Sequence, residues 1–249
     1  MNPDEYRIMY ELEEDYWWYR GMRAITATVL ARVIGEPKGL HLDAGCGTGG
    51  NLKFLGRLYK SYGLDLAGEA MPFLARNGLT RAVRASVLAI PFPAGCFDLV
   101  TAFESVQGVD DDAAAFRELH RVTRPGGRIL VREAALDALA GEHDLADASV
   151  RRYTRRGLEE KIRRAGFNVV FSTYANFLLL PPIFFIRSWR RMLGKKVPAS
   201  RARTDFRFSP SRLNRFFFGC LLAEAAWLSR FRLPFGVSVI AVGEKEEPS

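Results

Sequence analysis

Short apolar runs of the β type alternate along this chain with stretches whose apolar residues recur at helical spacing. That alternation predicts a doubly wound parallel sheet. Runs near 40–43, 61–65, 81–85, 97–103, 127–133, 167–174 and 235–243 read as seven strands, with helices near 49–59, 68–77, 111–123 and 154–165. Pro-Gly-Gly at 125–127 ends one connection and launches the next strand, and Gly166 closes the helix that begins at Thr154. Two regions fall outside this core. One is an N-terminal cap, 1–34, read as helices over 3–20 and 21–34 and containing Tyr16-Trp-Trp-Tyr-Arg20. The other is an insertion, 175–233, before the last strand. Its apolar run Phe177–Ile186 is followed by Arg187, Arg190, Arg191, Lys195 and Lys196. The run is too short to span a bilayer but long enough to lie in an interface or roof a pocket. No linker-like composition separates these regions, so residues 1–249 are expected to form one domain with a helical cap and a lid.

The chemistry concentrates where the first strand ends. Gly39-Leu-His-Leu stops at Asp43, and Gly45, Gly47 and Gly49 alternate before a helix-compatible segment. A strand, a glycine-paved turn and a helix let backbone approach a cofactor without interference from Cβ atoms. Gly45-x-Gly47-x-x-Gly50 also satisfies the loose dinucleotide fingerprint, which would make a nicotinamide oxidoreductase. Asp43 argues against that, because it would repel a pyrophosphate at the helix N-terminus. S-adenosylmethionine carries an ammonium and a sulfonium and no phosphate, so an acid there is favourable. Asp65 closes the next apolar run, at the distance where a carboxylate can accept from both ribose hydroxyls. The bland alternative is that both acids merely cap helices.

These residues resemble those of the class I SAM-dependent methyltransferases, in particular the ubiquinone/menaquinone-biosynthesis type. The blocks that carry the resemblance are Asp43-Ala-Gly-Cys-Gly-Thr-Gly, Gly63-Leu-Asp65, Ile90-Pro-Phe-Pro-Ala-Gly-Cys-Phe-Asp98-Leu-Val and Phe116-Arg-Glu-Leu-His-Arg-Val-Thr-Arg-Pro-Gly-Gly127. The resemblance implies a Rossmann-like seven-stranded fold and S-adenosylmethionine as methyl donor, with S-adenosylhomocysteine as product. It further implies that Asp43 and the glycine turn hold the methionine portion, Asp65 the ribose, and Leu66, Ser86 and Val87 the adenine. Arg20 is expected near the cofactor's carboxylate, with Tyr16 or Trp17 closing over it; core packing of an amphipathic helix is the alternative for the Tyr-Trp-Trp-Tyr cluster.

Composition adds a polarity. Net charge is +8, yet residues 151–232 hold 19 Lys/Arg against four acids, a net of +15, while the rest carries −7. Eleven of the 18 phenylalanines fall between Phe171 and Phe235. Basic and apolar together suit an amphipathic anionic partner, such as a prenyl phosphate, a quinone-like or other lipid-like acceptor, or a membrane surface. A solvated basic face over a Phe-rich core is the plainer alternative. No nucleic-acid recognition module is visible, and Cys46, Cys96 and Cys220 have neither disulfide nor metal-site spacing. A cytoplasmic location, with or without membrane association, is the expectation, and no metal is expected.

Methyl transfer from a sulfonium needs proximity, alignment and dryness; it needs a base only when the acceptor must lose a proton. By resemblance Glu104 faces the methyl group. Gln107 and Gly108 stand where relatives often carry Glu-His, which leaves the base open; His143, after the fifth strand, is the candidate. Arg151, Arg152 and Tyr153 precede a helix and form a donor group suited to a phosphate or carboxylate on the acceptor. A non-catalytic SAM-binding protein docked on a membrane is the alternative from another class.

Overall fold

A computed structural model describes residues 3–35, 37–136, 150–181 and 211–247. Among these, seven strands form one sheet: β1 (Leu40–Ala44), β2 (Lys60–Asp65), β3 (Ala82–Arg84), β4 (Phe97–Phe103), β5 (Thr123–Ala134), β6 (Phe167–Ala175) and β7 (Ser238–Lys245). Their order is β3-β2-β1-β4-β5-β7-β6. The first five pair in parallel, and β7 runs antiparallel to both β5 and β6. The expected doubly wound, Rossmann-like sheet is therefore present. β1 and β4 are almost wholly buried, as strands covered on both faces must be.

The helices are α1 (Pro3–Leu12), α2 (Trp17–Val33), α3 (Gly50–Leu55), α4 (Met71–Arg76), α5 (Asp112–Val122), α6 (Arg155–Arg164) and α7 (Ser211–Leu228). α5 shows how local sequence fixes them. The Asp111 carboxylate accepts from Ala114 N at 2.9 Å, and Ala115, Phe116, Leu119 and Val122 form one buried stripe. The main core joins the sheet to α2, α5, α6 and α7. A smaller cluster of Tyr6, Cys46, Leu52, Ala70 and Leu74 lies under α1, α3 and α4.

Two boundaries differ from the sequence expectation. β5 starts at Thr123 rather than 127, because Phe97 pairs with Thr123 before the register shifts to Leu99–Arg128; Pro125-Gly-Gly is an irregularity inside the strand. The cap breaks at Glu13–Tyr16 rather than after Arg20. Glu13 is turned inward, where its carboxylate accepts from Thr48 Oγ1 (2.7 Å) and Gly50 N (3.0 Å), and Tyr16 is extended with ψ 135°.

α2 and α7 lie side by side and parallel. At one end Asn214 Oδ1 accepts from Trp17 N at 2.8 Å, one of the free donors of the α2 N-terminus. At the other, Arg32 donates to the carbonyls of Leu228 (2.7 Å), the last residue of α7, and of Phe231 (2.8 Å) beyond it. Between them Gly21 faces Leu221. The expected lid is described only at its edges. Residues 182–210, with Arg187, Arg190, Arg191, Lys195 and Lys196, lie outside the described residues. No described helix is long and apolar enough to cross a membrane.

A Cβ on Gly21 would sit 2.2 Å from Leu221 Cδ1, whereas one on exposed Gly219 would meet nothing within 4 Å. Gly21→Val is therefore expected to cost about 1–3 kcal/mol by overpacking. Gly219→Ala should gain about 0.5–1 kcal/mol from helix propensity. Urea denaturation followed by circular dichroism checks both signs.

Candidate active site

A cavity of about 250 Å³ opens at the carboxyl ends of β1, β2 and β4. This is where the strand order reverses and helices leave the sheet on opposite faces. Its floor is Gly45, Cys46 and Gly47, followed by Asp65 and Leu66 after β2, and Ser86 and Val87 after β3. Phe103, Glu104 and Ser105 close one side, and Tyr6, Met9, Trp18, Tyr19 and Arg23 of the cap form the roof. Glycine is required at position 45: φ is +89°, and a Cβ would stand 2.4 Å from Ser105 Cβ.

Beneath the turn runs a buried polar chain across three strands. Thr101 Oγ1 donates to Asp43 Oδ1 at 2.7 Å, His41 Nε2 lies 2.9 Å from Thr101 Oγ1, and His41 Nδ1 lies 2.9 Å from Ser61 Oγ. Because the Thr101 proton is committed to Asp43, Thr101 accepts from a protonated Nε2, and Nδ1 accepts from Ser61. Burial holds the imidazole neutral, with its pKa lowered to about 3, and raises Asp43 to about 7 against the opposing Thr101 hydrogen bond. Asp43 is 1 % exposed and supports the turn from below rather than lining the cavity. Gly49 likewise lies behind the wall, with φ +99°.

Asp65 does line the cavity. Its carboxylate accepts from Gly47 N (2.8 Å), Ala67 N (2.9 Å) and Tyr6 OH (3.2 Å). The two backbone donors fix its orientation, and the Tyr6 hydroxyl is the partner that a ligand hydroxyl can displace. Ser86 Oγ accepts from Leu88 N at 3.1 Å, which shapes the turn beside Val87.

The cap residues sort differently from the sequence expectation. Tyr16 is buried against Trp17, their ring centroids 5.5 Å apart, and Arg20 lies over the Phe218 ring at 4.2 Å. Neither lines the cavity. The helix break at Glu13–Tyr16 sets the phase of α2 so that Trp18, Tyr19, Met22 and Arg23 face inward instead. Arg23 donates to the Glu13 carbonyl, which places its guanidinium beside Gly50 at the start of α3.

Glu104 follows β4 with φ +58°, a left-handed conformation that costs a non-glycine residue on the order of 1 kcal/mol. Its N–H donates to the Arg132 carbonyl at 2.7 Å, and its carboxylate stands 3.5 Å from Arg132 Nε. The turn that follows is tied to β5. Fully buried Glu133 accepts from Val106 N (3.0 Å) and Gln107 N (3.2 Å), and Gln107 Oε1 accepts from Ala134 N (2.8 Å). Burial raises Glu133 to about 8. Gln107 is thus a strut of the wall. Arg132 and Glu133 escaped the sequence reading, although a charged pair inside the apolar run Ile129-Leu-Val-Arg-Glu was a usable signal.

The basic group expected to meet the acceptor is engaged elsewhere. Tyr153 OH donates to Asp112 at 2.8 Å, Arg151 pairs with Asp112 at 3.0 Å, and Arg152 donates to the Ala135 carbonyl at 2.8 Å. None of the three lines the cavity; Arg151 and Tyr153 anchor the segment before α6 to the start of α5, and Arg152 anchors it to the end of β5. His143 lies outside the described residues.

Residues 42–131 match the family described as a methyltransferase domain. A fatty-acid O-methyltransferase of Mycolicibacterium smegmatis is 29% identical over 192 residues, 71% of this chain and 66% of that protein. A malonyl-[acyl-carrier protein] O-methyltransferase of Enterobacter lignolyticus is 36% identical over 117 residues, 45% of each. A SAM-dependent methyltransferase structure from Thermotoga maritima shares the fold, with a TM-score of 0.59 at 15% identity over 98% of this chain and 96% of that one. The chain spans at most about two thirds of the length of these curated relatives. The fold is thus that of solved SAM-dependent methyltransferases, and residues 42–131, about a third of the chain, carry the match to a methyltransferase domain.

Glu133 and Asp43 both have raised folded-state pKa values. The stability they contribute is present in full below their unfolded values, near 4, and is lost as pH rises through about 8 and about 7. Folding stability should therefore decline between about pH 4 and pH 8 and level off above that. Glu133→Gln should flatten that decline, at the cost of one hydrogen bond, and denaturant midpoints across the range read the slope.

Proposed function

We propose that this protein transfers the methyl group of S-adenosylmethionine to an oxygen of a small, largely apolar acceptor. The observation that carries this reading is the division of the cavity. Its end at β1 and β2 offers the glycine turn, Asp65 and Arg23, while the opposite end offers Met22, Phe103 and Val109. In this reading Asp65 holds the ribose diol and Leu66, Ser86 and Val87 flank the adenine. Gly45 and Gly47 admit the methionine portion, and Arg23 takes the carboxylate contact first assigned to Arg20. Asp43 and Gly49 shape the turn from behind.

The donor is already activated, so the chain's task is to align the acceptor with the sulfonium and keep water out. Trp18, Tyr19 and Met22 roof the site for that purpose. Glu104 stands at the acceptor end, and proton acceptance there matters only for an acceptor that carries a proton. The relatives named for fatty-acid and acyl-carrier substrates support a lipid-like acceptor, as do the motif blocks of the ubiquinone/menaquinone type, without selecting a quinone. A peripheral membrane contact is a second reading. It is favoured by exposed Phe216, Trp227, Phe231 and Phe235 among Arg212, Arg215, Arg230 and Arg232.

Asp65→Ala should weaken S-adenosylmethionine binding at least about tenfold by calorimetry, because two hydrogen bonds to a charged acceptor are lost. Unchanged affinity would remove the ribose role. Incubation with labelled S-adenosylmethionine and cell extract should move label into the organic phase with the wild type and far less with Asp65→Ala. Label confined to the aqueous phase would overturn the apolar acceptor.

A further inference from the structure

Arg132 is the residue that the reading above leaves unexplained. It projects from β5 beside Phe103, lines the cavity, and is 6 % exposed. Its guanidinium lies over the Phe103 ring at 4.5 Å. Nε and Nη1 are buried without a hydrogen-bond partner among the described residues, and Glu104 at 3.5 Å is a charge neighbour rather than a hydrogen-bonded one. Guanidinium cannot escape this situation by losing its proton. Buried, unsatisfied donors on a fixed charge are costly, and a site that retains them is built for an anion that supplies the missing acceptors.

The cofactor's own carboxylate has a nearer cation. Arg23 lies at the glycine turn beside Gly50, whereas Arg132 lies two strands away from β1 in the sheet, next to Glu104 and the apolar end of the cavity. We propose that the acceptor is an apolar carboxylic acid whose carboxylate is gripped by Arg132 and is itself the group methylated. The inference rests on the methyltransferase reading and names its acceptor.

The step balances without a base. One carboxylate oxygen donates an electron pair to the sulfonium methyl as the carbon–sulfur bond breaks. The sulfur keeps that bond's electron pair and becomes a neutral thioether. The negative carboxylate and positive sulfonium become a neutral ester and a neutral thioether, and no proton moves. A base at Gln107 or Gly108 is then unnecessary. Arg132 orients one oxygen while the other attacks, and the hydrocarbon body lies against Phe103 and Val109.

The test uses the full-length protein with methyl-labelled S-adenosylmethionine, long-chain fatty acids as carboxylate probes, and the matching fatty alcohols as controls. Wild type should label the acids and not the alcohols, and mild alkali should release the label as methanol. Arg132→Gln should raise the KM for the acid at least about tenfold and leave the Kd for S-adenosylmethionine within about twofold, with Arg132→Lys recovering part of the loss. Thermal melting confirms that each variant is folded, and the alkali test on wild type needs no variant. Alkali-stable label, or labelled alcohols, would overturn the proposal while leaving methyl transfer intact. Weakened cofactor binding in Arg132→Gln with an unchanged KM for the acid would overturn it by assigning Arg132 to the cofactor. S-adenosylmethionine binding with no transfer to any probe or extract fraction would instead sink the methyltransferase reading beneath it.

Discussion

The parallel pairing of β1 with β2 on one side and β4 on the other is the constraint on which the rest is built. Every strand in that trio ends at the same edge, and the chain leaves β1 and β2 toward one side of the sheet but leaves β4 toward the other. The result is a crevice whose depth is set by backbone hydrogen bonds, not by loop sequence. Gly45 stands within van der Waals reach of Ser105 because β1 and β4 are adjacent, and Gly47 N reaches Asp65 because β1 and β2 are. Side chains decorate the crevice, but strand order creates it.

Burying charge in such a crevice is expensive, and the sheet meets that cost by exchanging partners between strands. Asp43 is satisfied from β4 through Thr101, the loop after β4 is satisfied from β5 through Glu133, and Glu104 is held in its left-handed conformation by the β5 backbone. Each group depends on a neighbour about 5 Å away across the ladder. The wall that faces the acceptor is consequently stiff, and the hydrogen-bonded groups behind it fix its shape.

Much of this was legible in the sequence because it depends on local pattern. Strands buried on both faces announce themselves as apolar runs, and Asp43, Asp65 and the alternating glycines occupy strand ends that the runs delimit. What escaped is what depends on distant contacts. Arg20 and Arg23 lie on the same helix, and only the inward turn of Glu13 toward Thr48 and Gly50 decides which faces the cavity. Arg151 and Tyr153 read as a ligand group until Asp112, some 40 residues earlier, is seen beside them. Arg132 sat in plain view within an apolar strand, but nothing local told a structural ion pair from a site residue.

The parallel packing of α2 on α7 carries a consequence for synthesis. Trp17 and Asn214 are separated by 197 residues, so the cap's resting place is not yet made when the cap leaves the ribosome. At about 5–20 residues per second, α2 waits roughly 10–40 s for the helix that completes its buried face. During that interval the face of α2 that packs on α7, with Gly21 opposite Leu221 and Trp17 against Phe217, has no partner. Strands β1 to β5 can pair early; the seat of the cap on α7, and then β7, which joins β5 to β6, come last.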